Sequence, residues 1–297
     1  MKRLIIGGAL GAVAARAAYT ALTRRPPAVG DRDGAEAWGR TNHRGEPVTL
    51  LEGPAFVAGA VAGGLLTPGL TGRTRAAALL AGMGSGILGG YDDLAGSGSS
   101  RGFKGHLGAL ARGELTSGGV KIVGIGATGL AAAALARKPE HTAFDVLVNG
   151  AIVAGAANLM NLFDLRPGRA IKVGVLAGAP LAVGSSAAVV AAPLGAALAL
   201  LPEDLGERAM LGDAGANALG ALLGLGATRL GRGGRLAVLA GLVAMNGASE
   251  FVSFTKVIQR TPVLHRLDML GRRPAQQAAA PTQGEEPDAV QVADAAQ

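Results

Sequence analysis

Nine stretches of this chain are almost bare of charge, at about residues 4–22, 54–70, 76–91, 118–136, 142–160, 171–186, 187–201, 214–230 and 234–253. A helix needs roughly 20 apolar residues, with a range of about 17–25, to cross the hydrocarbon core of a bilayer. In hydrocarbon every backbone N–H and C=O must be paired within the spanning segment or a closed barrel. Runs of this length without strand alternation therefore predict an all-α polytopic membrane protein with about nine transmembrane helices. Several runs sit near the lower length limit. Residues 170–201 are too long for one helix, and Pro180, Gly184 and Pro193 interrupt them, so they are read as two short spans. The first run follows Lys2 and Arg3 but precedes no small-residue cleavage site, so it is read as a span rather than a signal peptide.

Charge supports the same reading. Only 16% of the residues are charged, against about a quarter in soluble domains. The 49 glycines sit largely inside the apolar runs, where small residues let membrane helices approach closely. Most Lys and Arg fall in the alternate loops 23–53, 92–117, 161–170 and 202–213 and beyond residue 253. By the positive-inside rule those loops and the carboxyl terminus are cytoplasmic and the amino terminus lies outside. A net charge of +7 then reads as basic loops facing an anionic leaflet, not as a nucleic-acid surface. The absence of Cys excludes disulfides and thiolate metal sites. Residues 1–274 form the membrane domain, and the polar residues 275–297 a disordered cytoplasmic tail. The expected location is the cell membrane, multi-pass.

Polar clusters gather on the predicted cytoplasmic side. YDDL ends a span with Asp92 and Asp93, two oxygen donors suited to Mg²⁺ or to proton transfer, or two acids marking the water boundary. RGFKGHLGALARGELTSGGVKI (101–122) follows, with Lys104, Arg112 and Lys121 among glycines that let backbone N–H groups approach phosphate. His106 there is read as structural. NLMNLFDLRPGRA spaces Asn158, Asn161 and Asp164 three apart along one helix face, which serves a polar site or hydrogen bonds between helices. Arg166 and Arg169 beyond it grip a diphosphate or face lipid. LGDAG places Asp213 at a helix start, as a cation ligand or an N-cap. Residues 253–273 are basic and partly amphipathic, suited to the membrane surface, and carry His265. WGRTNHRGEPVTLLEGPA, with His43, reads as a structured loop.

Taken in order over about residues 38–272, these motifs resemble the polyprenyl-phosphate N-acetylhexosamine-1-phosphate transferase family. That family includes phospho-N-acetylmuramoyl-pentapeptide translocase and the undecaprenyl-phosphate N-acetylglucosamine-1-phosphate transferases. The resemblance implies Mg²⁺-dependent transfer of a phospho-sugar from a nucleotide-diphospho-sugar to a membrane polyprenyl phosphate, with release of UMP. It also implies a cytoplasmic active site and a common homodimer. By the same resemblance Asp92 and Asp93 bind Mg²⁺ or activate the lipid phosphate, with Asp164 as a further catalytic acid. Asp213 and Asp93 hold the metal, and Lys104, Asn158, Asn161, Arg166, Arg169 and His265 contact substrate. Relatives carry a second acid where this chain has Pro167, and a cluster of histidines where it has His265 and Arg266. The alternative is a non-catalytic relative acting as a membrane scaffold or lipid-binding partner in envelope assembly.

Overall fold

A computed structural model describes residues 1–42, 44–95, 105, 108, 112–113 and 116–274. The expectations for His43, Lys104, His106 and the tail 275–297 lie outside the described residues.

The chain opens with α1 (Lys2–Arg24) and the short α2 (Gly34–Trp38). An antiparallel hairpin follows, β1 (Gly39–Thr41) with β2 (Pro47–Thr49), in the register Arg40 opposite Val48. This small sheet is a departure from the all-α expectation, and it forms within the stretch read as a structured loop. Next come α3 (Glu52–Leu66), α4 (Gly72–Leu79) and α5 (Ser85–Ala95), the last two joined through a π-helical turn at Leu80–Gly84. After them stand α6 (Ser117–Leu135), α7 (Ala143–Phe163) and α8 (Arg169–Gly178), the last ending in a 3₁₀ turn at Ala179–Ala182. The series closes with α9 (Ala187–Leu205), α10 (Gly212–Ala227), α11 (Arg232–Ser249), α12 (Phe254–Arg260) and α13 (Pro262–Met269).

Each of the nine apolar stretches overlaps a helix, but 54–70 and 214–230 run past the ends of α3 and α10, and 76–91 is divided between α4, the π-helical turn and α5. Four helices, α1, α6, α7 and α9, are long and apolar enough to cross a membrane, and α11 with α12 makes a fifth if that pair, bent by 95°, is one span. Several apolar helices of this kind are compatible with a multi-pass membrane protein.

Helix starts follow local chemistry. Thr142 and Asp145 form a reciprocal capping box at α7, and Thr116 caps α6 by accepting from the Gly119 N–H at 3.0 Å. Asp145 also pairs with Arg235 at 2.8 Å, which ties the start of α11 to α7. Pro180 and the left-handed Gly184 separate α8 from α9 at the expected break, whereas Pro193 lies inside α9 without ending it.

The centre of the bundle is α10, whose residues from Ala214 to Ala227 are all buried. It packs against α7, α5, α3 and α9, while α1 lies between α3 and α9 on one flank. A Cβ at Gly220 would stand 2.2 Å from the Ala156 carbonyl oxygen, so only glycine lets α7 and α10 touch backbone to backbone there.

Beyond the bundle, α13 is fastened to the start of α8. Arg169 grips Asp268 through Nε at 2.6 Å and Nη2 at 3.0 Å, and Arg272 adds a contact at 3.0 Å. Burial alone would raise the Asp268 carboxyl, but the Arg169 hydrogen bond and the charges of Arg169, Arg272 and Lys172 hold it below the usual carboxylate range. A depressed folded value contributes stability above the unfolded value of about 3.9, and that contribution is lost as pH falls through the folded value. Docking of α13 is therefore expected to weaken progressively as pH falls below about 4. Limited proteolysis at Arg260 and Arg266 across pH 5 to 2 checks this, and Asp268→Asn should show the same cleavage already at neutral pH.

Candidate active site

Four helix ends meet at one end of the bundle. α5 brings Asp92 and Asp93 in its last turn, and α6 leaves with Lys121 in its second turn. α7 arrives with Asn161 and ends on Asp164 as its C-cap, and α10 begins with Asp213. The close approach of α5 to α10 depends on Gly89, where a Cβ would fall 2.2 Å from the Asp213 carbonyl oxygen.

The start of α10 has no side-chain cap of its own, since its N-cap residue is Leu211. Asp93 supplies the cap from another helix. Its Oδ1 accepts the Asp213 N–H at 3.0 Å and its Oδ2 accepts the Ala214 N–H at 2.9 Å. A carboxylate at a helix amino terminus pairs orphan donors and meets the positive end of the dipole. The capping role that Asp213 was offered thus belongs to Asp93, and the Asp213 side chain is released to face the cluster.

There it meets Lys121, which is only 8% exposed. The Lys121 ammonium hydrogen-bonds Asp213 Oδ2 and lies 3.5 Å from Asp92 Oδ2. With its amide nitrogen turned to Asp213, Asn161 donates to Asp213 Oδ1 at 2.5 Å and accepts from Lys121 Nζ at 3.2 Å. Asn217 donates to the Asp213 carbonyl at 2.7 Å. Arg40 donates to the Asp93 carbonyl and Arg32 to the Leu94 carbonyl at 3.1 Å, so two cations sit where the α5 carboxyl terminus presents unpaired oxygens.

Behind this network lie three acids that the described residues leave partly or wholly unpaired. Glu52 at the start of α3 is fully buried, and neither of its carboxylate oxygens has a partner among the described residues. Asp164 and Asp204 each bury one unpartnered Oδ2. The three lie within electrostatic reach of one another, and Asp164 also feels Asp213 and Asp93. Such groups are costly to bury unsatisfied.

The remaining expected residues are spent elsewhere. Asn158 donates to Asn246 at 2.6 Å, a hydrogen bond joining α7 to α11. Arg169 has Nε, Nη1 and Nη2 engaged by Asp268 and Thr255, so the diphosphate grip expected of it is not the arrangement found. Arg166 turns back on the Leu165 carbonyl, and His265 stands exposed on α13. Lys121 was expected only as one of the positive charges of residues 101–122, and Glu52 and Arg40 were not among the expected site residues. For Lys121 and Glu52 there was a signal: a lone charge within or at the edge of an apolar run marks function by default.

Among the described residues no three His, Asp or Glu side chains are grouped so as to hold a metal alone. Mg²⁺ does not require that, since one or two carboxylates commonly hold it with substrate phosphates completing the shell. Asp92 and Asp213 flank one positive charge from two sides, so the donor set fits such an ion. The arrangement can neutralise a phosphate with Lys121, hold a divalent cation on carboxylates, and orient either through Asn161. No protein-family model matches this chain, and no curated protein aligns with it.

Proposed function

We propose that this chain transfers a phospho-sugar from a nucleotide-diphospho-sugar to a polyprenyl phosphate, leaving a polyprenyl-diphosphate-linked sugar and UMP. The observation that carries this reading is the network of Asp92, Lys121, Asn161 and Asp213 where α5, α6, α7 and α10 meet. Two anionic phosphates must come together in such a reaction, so catalysis rests on positioning and charge neutralisation.

An oxygen of the lipid phosphate attacks the donor phosphorus that carries the sugar. The new P–O bond forms as the bond to the nucleotide phosphate breaks, and that electron pair leaves on UMP. Lys121 turns from the carboxylates to the incoming phosphate, and the Asn161 amide holds its oxygen in line. Asp213 and Asp92 would hold Mg²⁺, which when bound neutralises charge on the diphosphate. Asp93, committed to the α10 backbone, fixes Asp213 in place.

Nine spans with the amino terminus outside would put this end of the bundle in the cytoplasm, where nucleotide-sugars are made. The Cys-free chain allows a direct test with single cysteines at Arg208, exposed near the cluster end, and Arg73, exposed at the far end. Labelling of both from the same side removes the arrangement.

The activity itself is tested on the purified full chain in detergent, with Mg²⁺, polyprenyl phosphate and a panel of UDP-sugars. UMP release with at least one donor is expected. Silence across the panel would transfer the weight to the scaffold reading.

A further inference from the structure

At the other end of the bundle the chain builds a pocket of about 730 Å³. The distance from the carboxylate network is set by α10, whose 16 residues separate Asp213 from Arg229 by about 24 Å of helix. Lys2 and Arg3 from the first turn of α1, Thr71 and Thr74 from the start of α4, Ser185 before α9 and Arg229 after α10 line it. No acid does.

Two features show that the positive charge is in place before any ligand arrives. The Arg229 Nε is buried with no partner among the described residues. A guanidinium N–H removed from water and left unpaired costs stability unless an acceptor visits it. The Arg3 guanidinium is laid close over Gly69, whose φ of +82° shapes the turn beneath it and which lines the same pocket.

We propose that this pocket is a binding site for a phosphate group, distinct from the transferase site. Arginine forks match phosphate oxygens in pairs, and the Thr71 and Thr74 hydroxyls, paired with each other at 2.9 Å, leave one O–H to join the donor set. Leu4, Leu70 and Val183 add apolar surface at the rim, with Val183 71% exposed. A phosphate attached to an acyl chain and a free phosphate share the chemistry the pocket recognises.

Two probes separate the sources. Native mass spectrometry of the detergent-purified chain with phosphatidylglycerol or phosphatidylcholine reads lipid retention. Thermal unfolding with inorganic phosphate, against chloride at equal ionic strength, reads free anion. We expect at least tenfold preference for phosphatidylglycerol, or a rise in Tm with phosphate, or both. Each response should vanish in K2Q/R3Q and persist in R24Q/R25Q, which alters the opposite end of the same helix. Lys2 and Arg3 are exposed, so the first variant retains its fold; R229Q gives a second test if it folds. A response in the lipid probe alone names a headgroup, and one in phosphate alone names a free anion. No response to either probe, or equal responses in the parent and K2Q/R3Q, overturns the site.

Discussion

Asp213→Asn is expected to abolish UMP release, by about 10³-fold or more, while leaving the unfolding temperature within a few degrees of the parent. The substitution keeps the shape of the side chain and removes its charge. In the folded chain Asp213 faces Lys121 on one oxygen and Asn161 on the other, and neither contact holds the helix together. The cap at the start of α10 comes from Asp93 through backbone N–H groups that the substitution does not touch. Asp93→Asn should behave differently. It places an amide N–H against one of two backbone donors, and loss of a cap costs about 1 kcal/mol, so Tm falls along with turnover. Labelled UDP-sugar turnover and thermal unfolding on both variants make the comparison. Full activity in Asp213→Asn would remove that residue from the chemistry, and equal Tm losses in both variants would remove the division between cap and site.

Much of the helical architecture was legible because a bilayer imposes a length and an apolar composition on each crossing. The gathering of Asp92, Asp93, Asn161 and Asp213 could be anticipated in the same way, since alternate helix ends must share a side. What the sequence hid were partners far apart along the chain. Asn158 and Arg169 carry the chemistry of a polar site, yet they are consumed by Asn246 and Asp268, roughly 90 to 100 residues away. Nothing local tells a helix-joining amide from a substrate-binding one. The reverse holds for Lys121: its neighbours are apolar, and only the meeting of α5, α6 and α10 turns it from a boundary charge into the centre of the network. The hairpin at 39–49 was hidden because its strands are three residues each, too short for alternation to register.

The second large effect is expected from adding carbon rather than removing charge. Gly89→Val should lose both turnover and stability, while Gly90→Ala one position on should retain nearly all of each. At Gly89 a Cβ would lie 2.2 Å from the Asp213 carbonyl oxygen and 2.4 Å from its carbon. Those are backbone atoms of α10, which cannot rotate away as a side chain can. At Gly90 the nearest heavy atom is the Ala214 Cβ at 3.7 Å, an ordinary contact. Overpacking typically costs about 1–3 kcal/mol, and here the strain falls on the joint between α5 and α10. Pushing those helices apart lengthens the Asp93 contacts to the Asp213 and Ala214 N–H groups and draws Asp92 away from Lys121. A shift of about 1 Å in a positioned group can cost about 100-fold in rate. Gly89→Ala, which adds the Cβ without further bulk, should fall between the two, and crystallographic or cysteine cross-linking distances between α5 and α10 would report the widening. If Gly89→Val and Gly90→Ala instead behave alike, the close approach of these helices is not what holds Asp93 over the start of α10, and the geometry from which the transferase reading is built loses its support.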